Sequence, residues 1–208
     1  MHKFIFPLFV FLVFSGTAQT FTKIANPSAC KAKINKKTAE TKSITANFEE
    51  LVHSSMFNTP KKANGKLAYK QSDKIRWEHT SPKKQIILIN GAKARFQENG
   101  QEVKNATANR VVKKIQGLMV QLFSGDFLNE KEFNIAYFES GSHYKLVLKP
   151  KNARMANYIA SIDLLFSKST LNLDQMTLVE TENDKIVYAF SNIRTNTTIS
   201  DTQFTQFK

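Results

Sequence analysis

From residue 44 onward, apolar and polar side chains alternate with a period of two. Ile44, Ala46 and Phe48 interleave with Thr45, Asn47 and Glu49, and the same alternation returns over 65–69 and 74–78, as half-buried strands require. The run Ile86-Ile87-Leu88-Ile89 is unbroken, so the strand over 85–89 is expected to be covered on both faces. Asn90-Gly91 and Asn99-Gly100 tolerate positive φ and predict tight hairpins, with Ala94 and Phe96 on the return strand between them. Further strands are expected over 133–138, 144–149, 159–166, 176–181 and 186–190 and near Phe204. Ser140-Gly141-Ser142 and Glu182-Asn183-Asp184 supply turns between them.

Two stretches depart from this period. Val111, Val112, Ile115, Leu118, Met119, Leu122 and Phe123 fall on one face of a helix over 110–123, with Lys113, Lys114 and Gln121 away from it, and Ser124-Gly125-Asp126 ends it. A weaker helix is expected over 29–41, capped by Ser28 and with Ala32 and Ile34 among its few apolar residues. About ten or eleven strands and two helices, with no repeat and no Pro- or Gly-rich linker, imply an α+β fold. The expected form is a curved antiparallel sheet making an incomplete β-barrel, with helices covering its concave face.

The first residues read as an address. Lys3 precedes an apolar run from Phe4 to Phe14, and Gly16 and Ala18 stand at the −3 and −1 positions of a cut before Gln19. The run is far shorter than the roughly 20 residues a membrane-spanning helix needs, and the pattern is that of a cleavable secretory signal over 1–18. The remainder, 19–208, is expected to be one exported domain without a lipid anchor, since Cys30 does not follow the small residues directly. A lone cysteine excludes an intramolecular disulfide framework and any zinc site built on two cysteines; Cys30 is expected to be inert or to pair between molecules. The chain of 208 residues carries 30 Lys and Arg against 17 Asp and Glu, a formal charge of +13. In an exported protein that charge argues against nucleic acid and for anionic lipid head groups or an acidic partner. The lysines lie in scattered pairs (36–37, 61–62, 83–84, 113–114) rather than in one stripe.

Catalytic signatures are missing. His53, His79 and His143 form no H-E-x-x-H pair, and there is no G-x-S-x-G elbow, P-loop or G-x-G-x-x-G. Glu49-Glu50 would point to opposite faces of a strand, the wrong geometry for two acids on one substrate. The chain reads as a non-catalytic binder needing no cofactor and no metal.

The most specific stretch is 65–91, G-K-L-A-Y-K-Q-S-D-K-I-R-W-E-H-T-S-P-K-K-Q-I-I-L-I-N-G. Its G-x-L…K-I-R-W-E…P…I-I-L-I-N-G resembles the LolA-like periplasmic carriers that ferry lipoproteins to the outer membrane. The order of elements agrees over nearly all of 19–208: a short helix, the strand S-I-T-A-N-F, the amphipathic helix at the family's lid position followed by Ser124-Gly125-Asp126-Phe127, and a tail from Phe190 to Phe204. The resemblance implies an incomplete barrel and helical lid around a cavity for acyl chains. It also implies an inner-membrane ABC transporter that loads the carrier and an outer-membrane receptor or membrane surface that unloads it, the carrier itself being a monomer. Ile75 falls at a bulky cavity position of the family and Trp77 matches its tryptophan. The acyl-binding surface is then expected from Leu67, Tyr69, Ile75, Trp77, Ile87, Ile89 and Phe96 on the sheet and from Val111, Ile115, Leu118, Met119 and Leu122 on the helix. The family often has Arg-Pro just before this strand, the arginine tying lid to barrel. Here Gln71-Ser72 stands in that place, leaving Lys70, Gln71 or Arg76 as latch candidates.

Alternation puts Ile75 and Trp77 on one side of their strand and Lys74 and Arg76 on the other. With Ile75 on a partly wet cavity wall, Ile75→Glu is expected to fold yet lose its lipid. A carrier or sensor of another amphiphile, a glycolipid or free lipid, is the alternative on the same fold, and an exported hydrolase the alternative from another class.

Overall fold

The computed structural model describes residues 20–71, 73–104 and 119–208. The signal segment with its cut before Gln19, Ser72, and the helix residues Val111, Ile115 and Leu118 lie outside them. The strands are β1 (Thr22–Lys23), β2 (Ser43–His53), β3 (Lys61–Lys70), β4 (Lys74–Ser81), β5 (Gln85–Asn90), β6 (Lys93–Glu98), β7 (Gln101–Glu102), β8 (Phe133–Glu139), β9 (His143–Pro150), β10 (Ser161–Ser167), β11 (Leu173–Val179) and β12 (Lys185–Thr195). All join one sheet in the order β1-β8-β9-β10-β11-β12-β2-β3-β4-β5-β6-β7. Every pairing is antiparallel, and the sheet does not close into a barrel. Only β1 and β7, two residues each, go beyond the expected strand count.

Helix α1 (Ser28–Glu40) buries Cys30 and Ile34. Residues 119–124 are helical (α2), and α3 (Ala153–Ala156) is a short turn of helix that the apolar pattern did not announce. Ser28 is the first residue of α1 rather than its cap; Asn26 Oδ1 accepts from the Ser28 amide at 3.2 Å and from its hydroxyl at 2.7 Å. Ala32 is exposed. The strand expected near Phe204 is instead a 3-10 turn, Asp201–Phe204, because the Ser200 side chain accepts from the Thr202 amide and starts a helical turn. β10 begins at Ser161, two residues later than the pattern suggested.

Hairpin geometry follows from the turn residues. Asn99 and Gly100 both have positive φ (49° and 84°), as the tight β6–β7 turn requires. In the preceding hairpin Asn90 pairs with Lys93, so Gly91-Ala92 is the loop.

The register creates two faces. On the concave one, Tyr69, Ile75 and Ile89 stand in one row and Leu67, Trp77, Ile87 and Phe96 in the next. Across β8–β12 a further row runs Tyr137, Leu146, Leu164, Met176 and Tyr188. With Cys30 and Ile34 of α1 and Met119, Leu122 and Phe123 of α2 these residues, apart from half-buried Phe96 and with Ile87 packed against its margin, form one core. The convex face of β3–β6 carries Ala68, Arg76, Ile86 and Leu88 and is covered by the C-terminal segment, whose Ile199 and Phe204 pack on Ala68. Ile86 and Leu88 are buried on this side and Ile89 on the other, so β5 is covered on both faces, as its sequence requires.

Candidate functional site

The concave face is lined by rings. Phe48 stacks on Trp77 at 4.3 Å between centroids, and Tyr188 meets both edge-on at 5.9 and 5.1 Å. Gly65 makes the stack possible: a Cβ there would run into the Phe48 ring and the Glu78 carbonyl. Tyr69 reaches across to Phe123 of α2, with ring centroids 5.8 Å apart, and so joins helix to sheet. The turn after α2 is equally close to α1, because Gly125, at φ 82°, lies against Thr38 where a Cβ would not fit.

Between these layers is a cavity of about 70 Å³. Its walls come from Ile44 and Ala46 (β2), Leu67 (β3), Leu122 and Phe123 (α2), Phe127, Leu164 and Phe166 (β10), Leu171 and Leu173, and Phe190 and Ile193 (β12); Lys37, Thr38, Thr41, Asn172 and Thr195 complete the lining. Among these described residues Lys37 alone carries a charge. Most of this described lining is aliphatic or aromatic, and what such a surface can do is exclude water from an apolar chain.

The residues expected to bind acyl chains divide accordingly. Leu67 and Leu122 line the cavity. Trp77 meets the lining residue Phe190 edge-on at 6.3 Å, and Tyr69 meets Phe123. Met119 is buried in the same core, whereas Ile75 and Ile89, at 0% and 1% exposure, are packed interior away from the void. Ile87 is partly buried against the core and Phe96 is half-buried near the sheet edge. The walls from β2, β10, β11 and β12 were not anticipated. Alternation in S-I-D-L-L-F-S marked a strand, but only the β12–β2 pairing, with its long sequence separation, brings β10 and β11 beside β2.

The latch candidates serve the other face. Arg76 donates through Nη1 to the carbonyls of Gln203 (3.2 Å) and Gln206 (2.8 Å), and its guanidinium pairs with Glu78 at 2.8 Å. Lys70 binds Asp201 at 2.6 Å and the Ile199 carbonyl at 3.1 Å, and Lys74 reaches Asp201 at 3.1 Å. These side chains strap the tail rather than a lid. Alternation already put Arg76 opposite Ile75; its partners, more than a hundred residues downstream, left no local signal. Gln71 is exposed, its amide bonded to the Lys42 carbonyl.

Titratable groups on the concave side are few. Burial, reinforced by the adjacent Glu50 carboxylate, pushes the Tyr188 phenol well above its ordinary range, and His79 Nε2 lies 2.8 Å from the same carboxylate. Glu49 bonds instead to Lys62, so the two neighbouring acids do part company. Lys31 holds Glu130 at 2.8 Å, which lowers that carboxyl below its usual value and ties α1 to the turn after α2. Cys30 is 4% exposed, and burial pushes its thiol up to about 11. Among the described residues no cluster of His, Cys, Asp or Glu could hold a metal ion, and no helix is long and apolar enough to cross a membrane.

Residues 39–207 match the family model described as outer membrane lipoprotein carrier protein LolA. The chain belongs to the LolA family. Similar curated proteins are the outer-membrane lipoprotein carrier proteins of Pseudomonas entomophila (24% identical, over 83% of this chain and 81% of that one) and of Coxiella burnetii (26%, over 78% and 75%). Among solved structures, a LolA superfamily protein from Nitrosomonas europaea aligns with a TM-score of 0.44 at 13% identity, covering 85% of this chain and 97% of that one. The family match covers α2 and every strand from β2 to β12, and so includes the described lining of the cavity except Lys37 and Thr38 of α1.

Proposed function

We propose that this chain, exported by its first 18 residues, is a non-catalytic periplasmic carrier that shelters the acyl chains of lipoproteins between the concave sheet and helices α1 and α2. The observation that supports it is a largely apolar void, with Lys37 as the one charged residue among its described lining, in a chain of the LolA family. At about 70 Å³ the void is roughly half of the ~150 Å³ cavity that accommodates a benzene ring, which is too small for a fatty acyl chain. Loading therefore displaces Leu122 and Phe123 from the sheet. Burial of two such side chains is worth about 3–6 kcal/mol, and roughly four to eight methylenes at ~0.8 kcal/mol each return as much. Empty-closed and loaded-open states then differ by little, which lets cargo be passed on. An inner-membrane ABC transporter supplies the cargo, and an outer-membrane receptor or the membrane itself takes it.

The test is release of lipoproteins from spheroplasts by the mature protein, with mass spectrometry of the lipid that co-purifies. Ala46→Leu fills the void from the β2 wall, and at least a tenfold loss of fatty-acid binding is expected with folding intact. Co-purified glycolipid or free lipid without any lipoprotein release would favour a carrier of another amphiphile. Unchanged binding by Ala46→Leu would reject the void as the site.

A further inference from the structure

Met56, Phe57 and Tyr158 are the large hydrophobic side chains left exposed among the described residues, at 81%, 37% and 60%. The topology brings all three to one end of the sheet. Met56 and Phe57 form the tip of the β2–β3 loop, and Tyr158 lies in the β9–β10 connection. Both connections leave the sheet at the edge defined by the pairs Lys185 with His53, Ser161 with Val179 and Ile162 with Leu148. Connections at the opposite edge, such as Ser140-Gly141-Ser142 and Gly91-Ala92, are small or polar. Scattered surface hydrophobics are ordinary, but three confined to one rim are not scattered.

The loop is also anchored. The Ser55 amide donates to Asp184 Oδ1 at 2.8 Å, and the Ser55 hydroxyl to the same oxygen at 3.2 Å, so its base is fixed to the β11–β12 turn while Met56 and Phe57 project. Cations surround the tip. Lys61 Nζ lies 3.5 Å from the centre of the Phe57 ring. Lys62, paired with Glu49, stands beside it, and Lys83 and Lys84 occupy the adjacent β4–β5 turn, the latter 4.0 Å from Glu78. All four lysines are exposed. Asp184, which holds Ser55, stands with Glu180 and Glu182 in the β11–β12 turn, so the acids lie on one side of the tip and positive charge is concentrated on the other, toward Lys61, Lys62 and the β4–β5 turn. An apolar tip ringed by lysine matches one kind of surface, acyl chains beneath anionic head groups.

We propose that this rim docks on anionic phospholipid bilayers, with Met56 and Phe57 inserted at the interface, Lys61, Lys62, Lys83 and Lys84 on the head groups, and Tyr158 as a second contact. The inference goes beyond the carrier reading and does not depend on what fills the cavity.

Sedimentation of the mature protein, without added cargo, with sucrose-loaded vesicles tests it. Binding is expected to vesicles containing phosphatidylglycerol, to weaken as salt rises, and to be absent with phosphatidylcholine alone. The Met56→Ser, Phe57→Ser double variant should partition at least about tenfold less. Lys83→Glu with Lys84→Glu should abolish most of the salt dependence. Both alter exposed residues, so circular dichroism should match the parent chain. A second readout uses Met56→Cys carrying an environment-sensitive fluorophore, with buried Cys30 left unlabelled; its emission should shift to the blue on the anionic vesicles alone. Equal binding to neutral and anionic vesicles, no binding to either, or undiminished binding by the serine variant would overturn the proposal. Because no cargo is present, any of these results leaves the carrier function standing.

Discussion

Strands β3–β5 show two faces built from alternate residues of the same short segments. In K-I-R-W-E, Ile75 and Trp77 enter a core of rings beneath the helices, while Arg76 and Glu78 form a partly buried ion pair beneath the tail. The concave face is held mainly by shape: stacked rings and a glycine with no room for a methyl group, with directional bonds confined to its margins at Glu50 and Glu130. The convex face is held by bonds to particular carbonyls, with Arg76, Lys70 and Arg95 each donating to the tail backbone. A surface proposed to admit variable apolar chains gains little from directional bonds, whereas a fixed strap needs them. The difference should appear in how each face fails.

The largest effect is expected on the concave side from Ile75→Glu. The sequence suggested a wet cavity wall there, but Ile75 is 0% exposed and lies outside the cavity lining. An unpaired carboxylate in that core costs about 4 kcal/mol or more. The variant should lose its cooperative urea transition, or shift it strongly to lower denaturant, rather than fold and merely lose lipid. A normally stable variant would mean that this face opens to water far more than its packing allows. Gly65→Ala comes next. Its methyl group would displace either the Phe48 ring or the β4 backbone at Glu78, and overpacking of this kind costs about 1–3 kcal/mol. The near-ultraviolet dichroism of Trp77 should change with it.

On the convex side Arg76→Ala should cost about 2–3 kcal/mol, since it frees two tail carbonyls and leaves Glu78 without its closest cation. Here the local consequence tells more than the total. The C-terminal segment should become open to proteolysis while the stacking around Trp77 keeps its dichroism. Equal loss of both signals would mean that the two faces do not fail separately.

How far each face was legible follows from the range of its contacts. Period two in 44–48, 65–69 and 74–78 and the hairpin residues at 99–100 are local, and they correctly fixed the strands, the inward side of Ile75 and Trp77 and the curved antiparallel sheet. The amphipathic spacing put Met119 and Leu122 on the core side, where they lie. What could not be read was which distant strand closes the cavity, because Phe190, Ile193 and Leu164 become neighbours of Ala46 only through the β12–β2 pairing. Arg76 looked like a lid latch for the same reason: a guanidinium on a strand announces a need for acceptors but not where they are. The family motif located the strand, and the tail, an irregular segment without a period of its own, supplied the partner.

The smallest effect separates the faces by pH. Tyr69, Tyr137 and Tyr188 belong to the concave core, and burial, ahead of nearby carboxylates, raises each phenol above its ordinary 10.0. An acid whose folded value is raised favours the native state fully below its unfolded value. That contribution declines as pH climbs past about 10, because the unfolded chain ionises first. On the convex side Asp201 is held below its ordinary 3.8, first by the Lys70 bond and then by Lys74. Its contribution is complete above that value and is lost as pH falls below it. Alkali above about pH 10 should therefore loosen the aromatic core while the tail stays strapped. Acid below about pH 4 should loosen the tail while the aromatic core persists, the Lys31–Glu130 tie of α1 being the concave contact that weakens with it. Near-ultraviolet dichroism followed alongside C-terminal proteolysis across both limbs reads the two events separately. Asp201→Asn should remove the acid limb of the proteolysis curve and leave the alkaline limb of the dichroism unmoved. If the two signals instead change together on either limb, the strap and the core are a single cooperative unit and the contrast between the faces is one of chemistry alone.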